Sequence, residues 1–143
     1  MTAAIRARTS DDVDECARLL CTLDRSDRYP RVWPDDLEAW LTPEGLLGSW
    51  VAELDGSVVG HVALRRAAGC SLVTRLWVAP SARRRGLGSA LCEAACTRAA
   101  ELSLQPSLEV AAGRAAAIAL YKSRGWTLVS RTPDAMYHYV RTV

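Results

Sequence analysis

The chain has 143 residues, half of them apolar and 24% charged, with a net charge of +2. That is the size of one ordinary domain with enough apolar side chains for a core, so residues 1–143 are expected to fold as a single unit. The charge is too small to imply a nucleic-acid or membrane partner, and no run approaches the ~20 apolar residues of a membrane helix, which makes the cytoplasm the expected setting.

Residues 3–8 alternate weakly and predict a first strand. Ser10 predicts an N-cap, followed by Asp11, Asp12 and Asp14, acids that favour the positive end of a helix dipole. Val13, Cys16, Ala17 and Leu20 recur at helical spacing and predict an amphipathic helix over 11–23. Residues 24–34 are polar and contain Tyr29-Pro30 and Trp33-Pro34, and each proline disfavours helix in the residue before it. A short helix over 35–41 follows, and Pro43, Gly45 and Gly48 mark the loop after it. Asp55-Gly56 between apolar runs predicts a hairpin whose two turn residues take positive φ, joining strands 49–54 and 57–65. A turn near Ala68-Gly69 leads into a strand at 71–78.

Residues 86–101 predict a long helix rich in alanine, with Leu87, Ala90, Leu91 and Ala94 inward. A strand at 107–111 and a helix at 114–124 follow, the helix stopped by Gly125. Strands at 126–131 and 136–142 close the chain. The order β-α-α-β-β-β-α-β-α-β-β predicts an α/β fold, a mixed sheet with helices on both faces.

The cysteines are Cys16, Cys21, Cys70, Cys92 and Cys96, an odd number with no CxxC, and only His61 and His138 could join them. The paired spacing of a zinc site is missing, so no metal is expected. Cys92 and Cys96, one helical turn apart among alanines, are read as small buried hydrophobes.

The segment Leu76-Trp77-Val78-Ala79-Pro80-Ser81-Ala82-Arg83-Arg84-Arg85-Gly86-Leu87-Gly88-Ser89 is a strand, a basic loop, and two glycines opening a helix. Free amides at a helix start are donors aimed at an anion, glycines let a ligand approach the backbone, and arginines add charge for a pyrophosphate. Neither GxxxxGK[ST] nor GxGxxG occurs.

The pattern V-x-P-x-x-R-x-x-G-x-G resembles motif A of the GNAT superfamily of N-acetyltransferases, whose loop binds the coenzyme A pyrophosphate. A second block, Leu108-Glu109-Val110 through Ala117-Ile118-Ala119-Leu120-Tyr121 to Gly125-Trp126, resembles motif B, and within it the bacterial ribosomal-protein N-terminal alanine acetyltransferases. The resemblance implies the GNAT fold over one N-acetyltransferase domain. It implies acetyl-CoA as co-substrate and direct transfer of the acetyl group to a primary amine in a ternary complex. Cofactor contacts fall on Leu76, Trp77 and Val78, mostly by main chain, and on Arg83, Arg84, Arg85, Gly86, Leu87, Gly88 and Ser89.

The family's motif-B asparagine falls on Arg114, which is expected to contact the cofactor in its place or else to be an exposed helix-start arginine. Tyr121 matches the tyrosine that protonates the leaving thiolate in many relatives; a phenol titrates near pH 10 and can donate at neutral pH. Glu109 matches a proton acceptor of the peptide-acetylating relatives, and Arg75 stands where many relatives carry a different glutamate. The acceptor side draws on Tyr29, Trp33, Trp40, Tyr137, His138 and Tyr139, and His61 is read as structural. A small amine, an amino acid and a peptide N-terminus all remain open as acceptors, a homodimer is left open, and a catalytically silent acyl-CoA-binding regulatory module is the competing reading.

Overall fold

The computed structural model describes residues 2–27 and 34–141. In chain order the elements are β1 (Ala3–Ala7), α1 (Val13–Asp27), α2 (Leu37–Leu41), β2 (Leu46–Leu54), β3 (Ser57–Ala67), β4 (Cys70–Val78), α3 (Leu87–Glu101), β5 (Pro106–Ala111), α4 (Ala115–Ser123), β6 (Thr127–Arg131) and β7 (Met136–Val140). The order is the one the sequence predicts. The strands form one sheet, β1-β2-β3-β4-β5-β7-β6, in which β4 and β5 pair parallel and every other neighbour antiparallel. The hairpin between β2 and β3 turns at Asp55 (φ 53°) and Gly56 (φ 84°), the paired left-handed geometry that suits strand twist.

Several local expectations are corrected, the first at β2, which begins at Leu46 and so takes in Gly48, expected in the loop. The N-cap is Thr9 rather than Ser10: the Thr9 N–H donates to the Asp12 carboxylate at 2.7 Å, and a single 3-10 turn, Ser10–Asp12, precedes α1. The same carboxylate accepts both Arg6 Nη groups at 2.8 Å, while Arg6 Nε donates to Glu53 at 2.6 Å. The Arg6 guanidinium thereby holds the Asp12 carboxyl well below the usual carboxylate range and ties β1 to β2 and to the start of α1. Helix α1 also runs on to Asp27, past the predicted end at 23, because residues 24–27 contain no glycine or proline to stop it.

Helices cover both faces of the sheet. On one face Cys16, Leu20 and Leu23 of α1 and Leu41 of α2 pack with Val51, Val58 and Trp77. On the other, α3 buries Leu87, Leu91, Cys92, Ala95, Cys96 and Ala99 against Val62, Leu64, Val73, Leu108 and Tyr139. The stripe through Leu87 and Leu91 continues at four-residue steps to Ala95 and Ala99. That places Cys92 and Cys96 inside and turns Ala90 and Ala94 to the half-buried margin, a correction to the predicted inner face. All five cysteines are free thiols; contact with Cys96 and burial push the Cys92 thiol up. Helix α4 has no buried residue and lays Ala117, Ile118 and Tyr121 only partly against the core. Among the described residues no helix is long and apolar enough to cross a membrane, and no group of acids, cysteines and histidines could hold a metal.

Candidate active site

β4 and β5 pair at only three positions, Ser71 with Pro106, Leu72 with Ser107 and Val73 with Leu108. Beyond Val73 the strands part. Thr74, Arg75 and Leu76 on one edge and Glu109, Val110 and Ala111 on the other line a cleft of about 530 Å³.

Two features open this wedge. The β3–β4 register steps from Ala63 opposite Thr74 to His61 opposite Trp77, so Val62 alone spans Arg75 and Leu76. Such a bulge bends its strand and increases the local twist. Arg75 takes φ 55° there, a left-handed conformation that costs a non-glycine residue roughly 1 kcal/mol. On the far side β7 pairs with Glu109, Val110 and Ala111 and draws β5 away.

The cleft passes through the sheet. Leu108 and Val110 belong to the α3 face, and strand alternation sends Glu109 to the opposite face. Arg114, Ala117 and Tyr121 wall one end of the opening, while Trp40, Arg65 and Thr74 contribute to it from the α2 side. The Tyr121 ring lies edge-on to Trp126 at 6.1 Å and tilted to Tyr139 at 6.5 Å. Glu109 has Oε1 3.9 Å from His138 Nδ1. Arg75 Nε donates to the Trp40 carbonyl at 2.9 Å, and its guanidinium stacks 4.3 Å over the Trp40 ring.

Where β4 ends, a 3-10 turn, Pro80–Ala82, leads to the basic loop and α3. Arg83, Arg84, Arg85 and Gly86 are exposed. Gly86 takes φ 77° as the N-cap, and no side chain caps the helix. The first-turn amides of α3 therefore have neither an intrahelical partner nor a side-chain cap. Arg83 Nε donates to the Val78 carbonyl at 3.1 Å, which fastens the loop to the strand end. The residues present fit a long phosphorylated ligand: anion donors at one end, and facing strand edges whose backbone groups do not pair with each other along its length.

His61 sits at the base of the bulge, fully buried. Its Nδ1 lies 2.9 Å from the Arg75 carbonyl oxygen, its Nε2 lies 2.9 Å from Arg8 Nη1, and its ring stacks on Trp77 at 5.7 Å. Burial pulls its pKa down to about 4, so the ring is neutral at physiological pH.

The model of the acetyltransferase (GNAT) family matches residues 13–126. The chain belongs to this family. It is thus an acetyl-CoA-dependent N-acetyltransferase. No curated protein sequence matches it. Solved structures do. A GNAT-family acetyltransferase from Staphylococcus aureus superposes with a TM-score of 0.81 at 17% identity, over 98% of both chains. The PaiA N-acetyltransferase of Thermoplasma acidophilum, solved in complex with coenzyme A, gives 0.79 at 15% identity over the full length of both. The ribosomal-protein-S18-alanine N-acetyltransferase of Escherichia coli gives 0.73 at 21% identity, over 97% of this chain and 90% of that one. At these identities the likeness shows the fold.

Within the GNAT scaffold the predicted residues fall unevenly. Leu76, Glu109, Arg114 and Tyr121 line the one cleft. Gly88, Ser89, Cys92 and Tyr121 share a narrow hollow between α3 and α4, which brings the loop end of the predicted site next to the tyrosine. Leu87 is buried in the α3 core, so only its main chain can face a ligand. Trp77 is buried on the α1 side, so its side chain is core and only its backbone belongs at the strand end. Tyr139, expected on the acceptor side, is instead fully buried beneath α3, because its neighbour across β5 is Leu108. Tyr29 and Trp33 lie outside the described residues. Arg65, Thr74 and Met136 line the cleft without having stood out in the sequence. Nothing in a strand pattern announces a gap, but Thr74 lies on a predicted strand that borders it and Arg65 on the strand next to that one.

Proposed function

We propose that this GNAT enzyme holds the pantetheine arm of acetyl-CoA in the wedge between β4 and β5, and that a primary amine attacks from the α2 side of the sheet. The observation that carries this reading is the end of β4–β5 pairing at Val73–Leu108, with a cleft open to both faces. Two substrates meeting from opposite faces need no covalent enzyme intermediate, which supports direct transfer in a ternary complex. Acetyl-CoA supplies an activated thioester; the protein must bind, orient and move protons.

The α3 amides and the arginines from Arg83 to Arg85 take the pyrophosphate, Gly86 giving the turn its left-handed step. The backbone of Leu76, Trp77 and Val78 pairs with the pantetheine amides. Arg114, at the start of α4 and on the cleft wall, contacts the same arm. Tyr121, between the loop hollow and the cleft, donates its phenolic proton to the departing thiolate. Glu109, on the α2 side with His138 beside it, accepts a proton from the amine.

The acceptor class is a primary amine on a small molecule or a peptide N-terminus. Tyr121→Phe tests the assignment: kcat for acetyl transfer should fall about 100-fold with the acetyl-CoA KM little changed. An unaltered kcat removes Tyr121 from the mechanism.

A further inference from the structure

We infer that His61 is a positioning residue for acetyl transfer, holding the Arg75 carbonyl and so the β4 bulge that opens the cofactor wedge. The inference rests on the reading of that wedge as the acetyl-CoA site.

Arg8 fixes the chemistry of the ring. Its Nη1 donates to the Leu41 carbonyl at 2.8 Å and reaches His61 Nε2 at 2.9 Å, while Nη2 donates to Thr42 Oγ1 at 2.6 Å. A guanidinium has only donors, so Nε2 must accept. The single proton of the neutral ring then sits on Nδ1 and is donated to the Arg75 carbonyl, 2.9 Å away. That carbonyl belongs to the left-handed residue of the bulge, where the ladder to β3 skips a position. His61 steadies a part-buried carbonyl at the bulge, and a left-handed arginine persists only where its surroundings hold it.

The bulge lies just past Val73–Leu108, the last β4–β5 pair, and its two residues, Arg75 and Leu76, line the cleft. Without the Nδ1–H, β4 can relax toward a regular ladder, and the Leu76 main chain turns with it. The hydrogen-bonded path from Arg8 through His61 to Arg75 thus joins the end of α2 to the edge that meets the cofactor. Neither Arg8 nor His61 lines the cleft, so both act through Arg75.

Paired substitutions test this. His61→Asn keeps an amide N–H near the position of Nδ1; His61→Gln places its amide near Nε2 instead. Asn should hold the acetyl-CoA KM within about twofold of the parent, while Gln should raise it about tenfold with a smaller change in kcat. Equal KM values for the two, or losses that only follow the folded fraction, overturn the proposal. Nitrogen NMR of the parent imidazole should find the neutral Nδ1–H tautomer at pH 7, and an Nε2–H or cationic ring overturns it too. Calorimetry of parent protein with coenzyme A is the separate check on the wedge: absence of binding there defeats the site reading, while the tautomer result stands by itself.

Discussion

Helices α3 and α4 look alike as sequences and differ as structures. Both are rich in alanine, and the first turn of α3 meets α4 across the narrow hollow that holds Gly88, Ser89 and Tyr121. Helix α3 buries a stripe of apolar residues along its length, whereas α4 buries none and leaves Leu120 37% exposed. One helix is part of the core and has no side chain capping its first turn; the other is a thin wall that carries Arg114 and Tyr121. On the proposed reading, stability and chemistry are divided between two elements that composition alone would treat as equals.

The sharpest way to test the division is to truncate each helix in turn. Leu91→Ala removes a fully buried side chain from the α3 core and should cost about 3 kcal/mol in urea or thermal unfolding. The folded fraction should keep its kcat. Arg114→Ala should barely move stability but raise the acetyl-CoA KM about tenfold, the scale of one charged contact to a phosphorylated ligand. An unchanged KM returns Arg114 to the role of an exposed helix-start residue and makes α4 a carrier of Tyr121 alone. The smallest effect belongs to Ile118→Ala, on the partly buried face of α4 that meets the core, at about 1 kcal/mol or less in the same unfolding assay. A loss as large as that of Leu91→Ala would break the contrast, since it would make α4 a core helix.

Much of this was legible in the sequence because local chemistry decides it. Asp55-Gly56 fixes a hairpin, Gly86 fixes the opening of α3, and the order of elements follows from periodicity. The motif residues Glu109, Arg114 and Tyr121 were found on one chain segment and do line one cleft. What stayed hidden depends on register. The bulge at Arg75 arises from a one-residue slip against β3, and no pattern of alternation reveals which strand carries the extra residue. Tyr139 read as an acceptor-side aromatic because it lies on the strand near the C-terminus that the family resemblance implicates, yet the pairing of β7 with β5 sends it under α3. The link from Arg8 to His61 joins residues 53 apart and needs the folded sheet to exist.

Three residue pairs hold β4 to β5, against full-length ladders between β2 and β3 or β5 and β7. The sheet thus has a seam, and it runs through the middle of the molecule rather than along its margin. A coenzyme laid into that seam would act as a substitute strand, bonding to both lips and knitting β1–β4 to β5–β7. Ligand and fold then become one thermodynamic system: saturating coenzyme should slow the opening of just those backbone amides that border the wedge, and leave the outer hairpin of β2 and β3 unmoved.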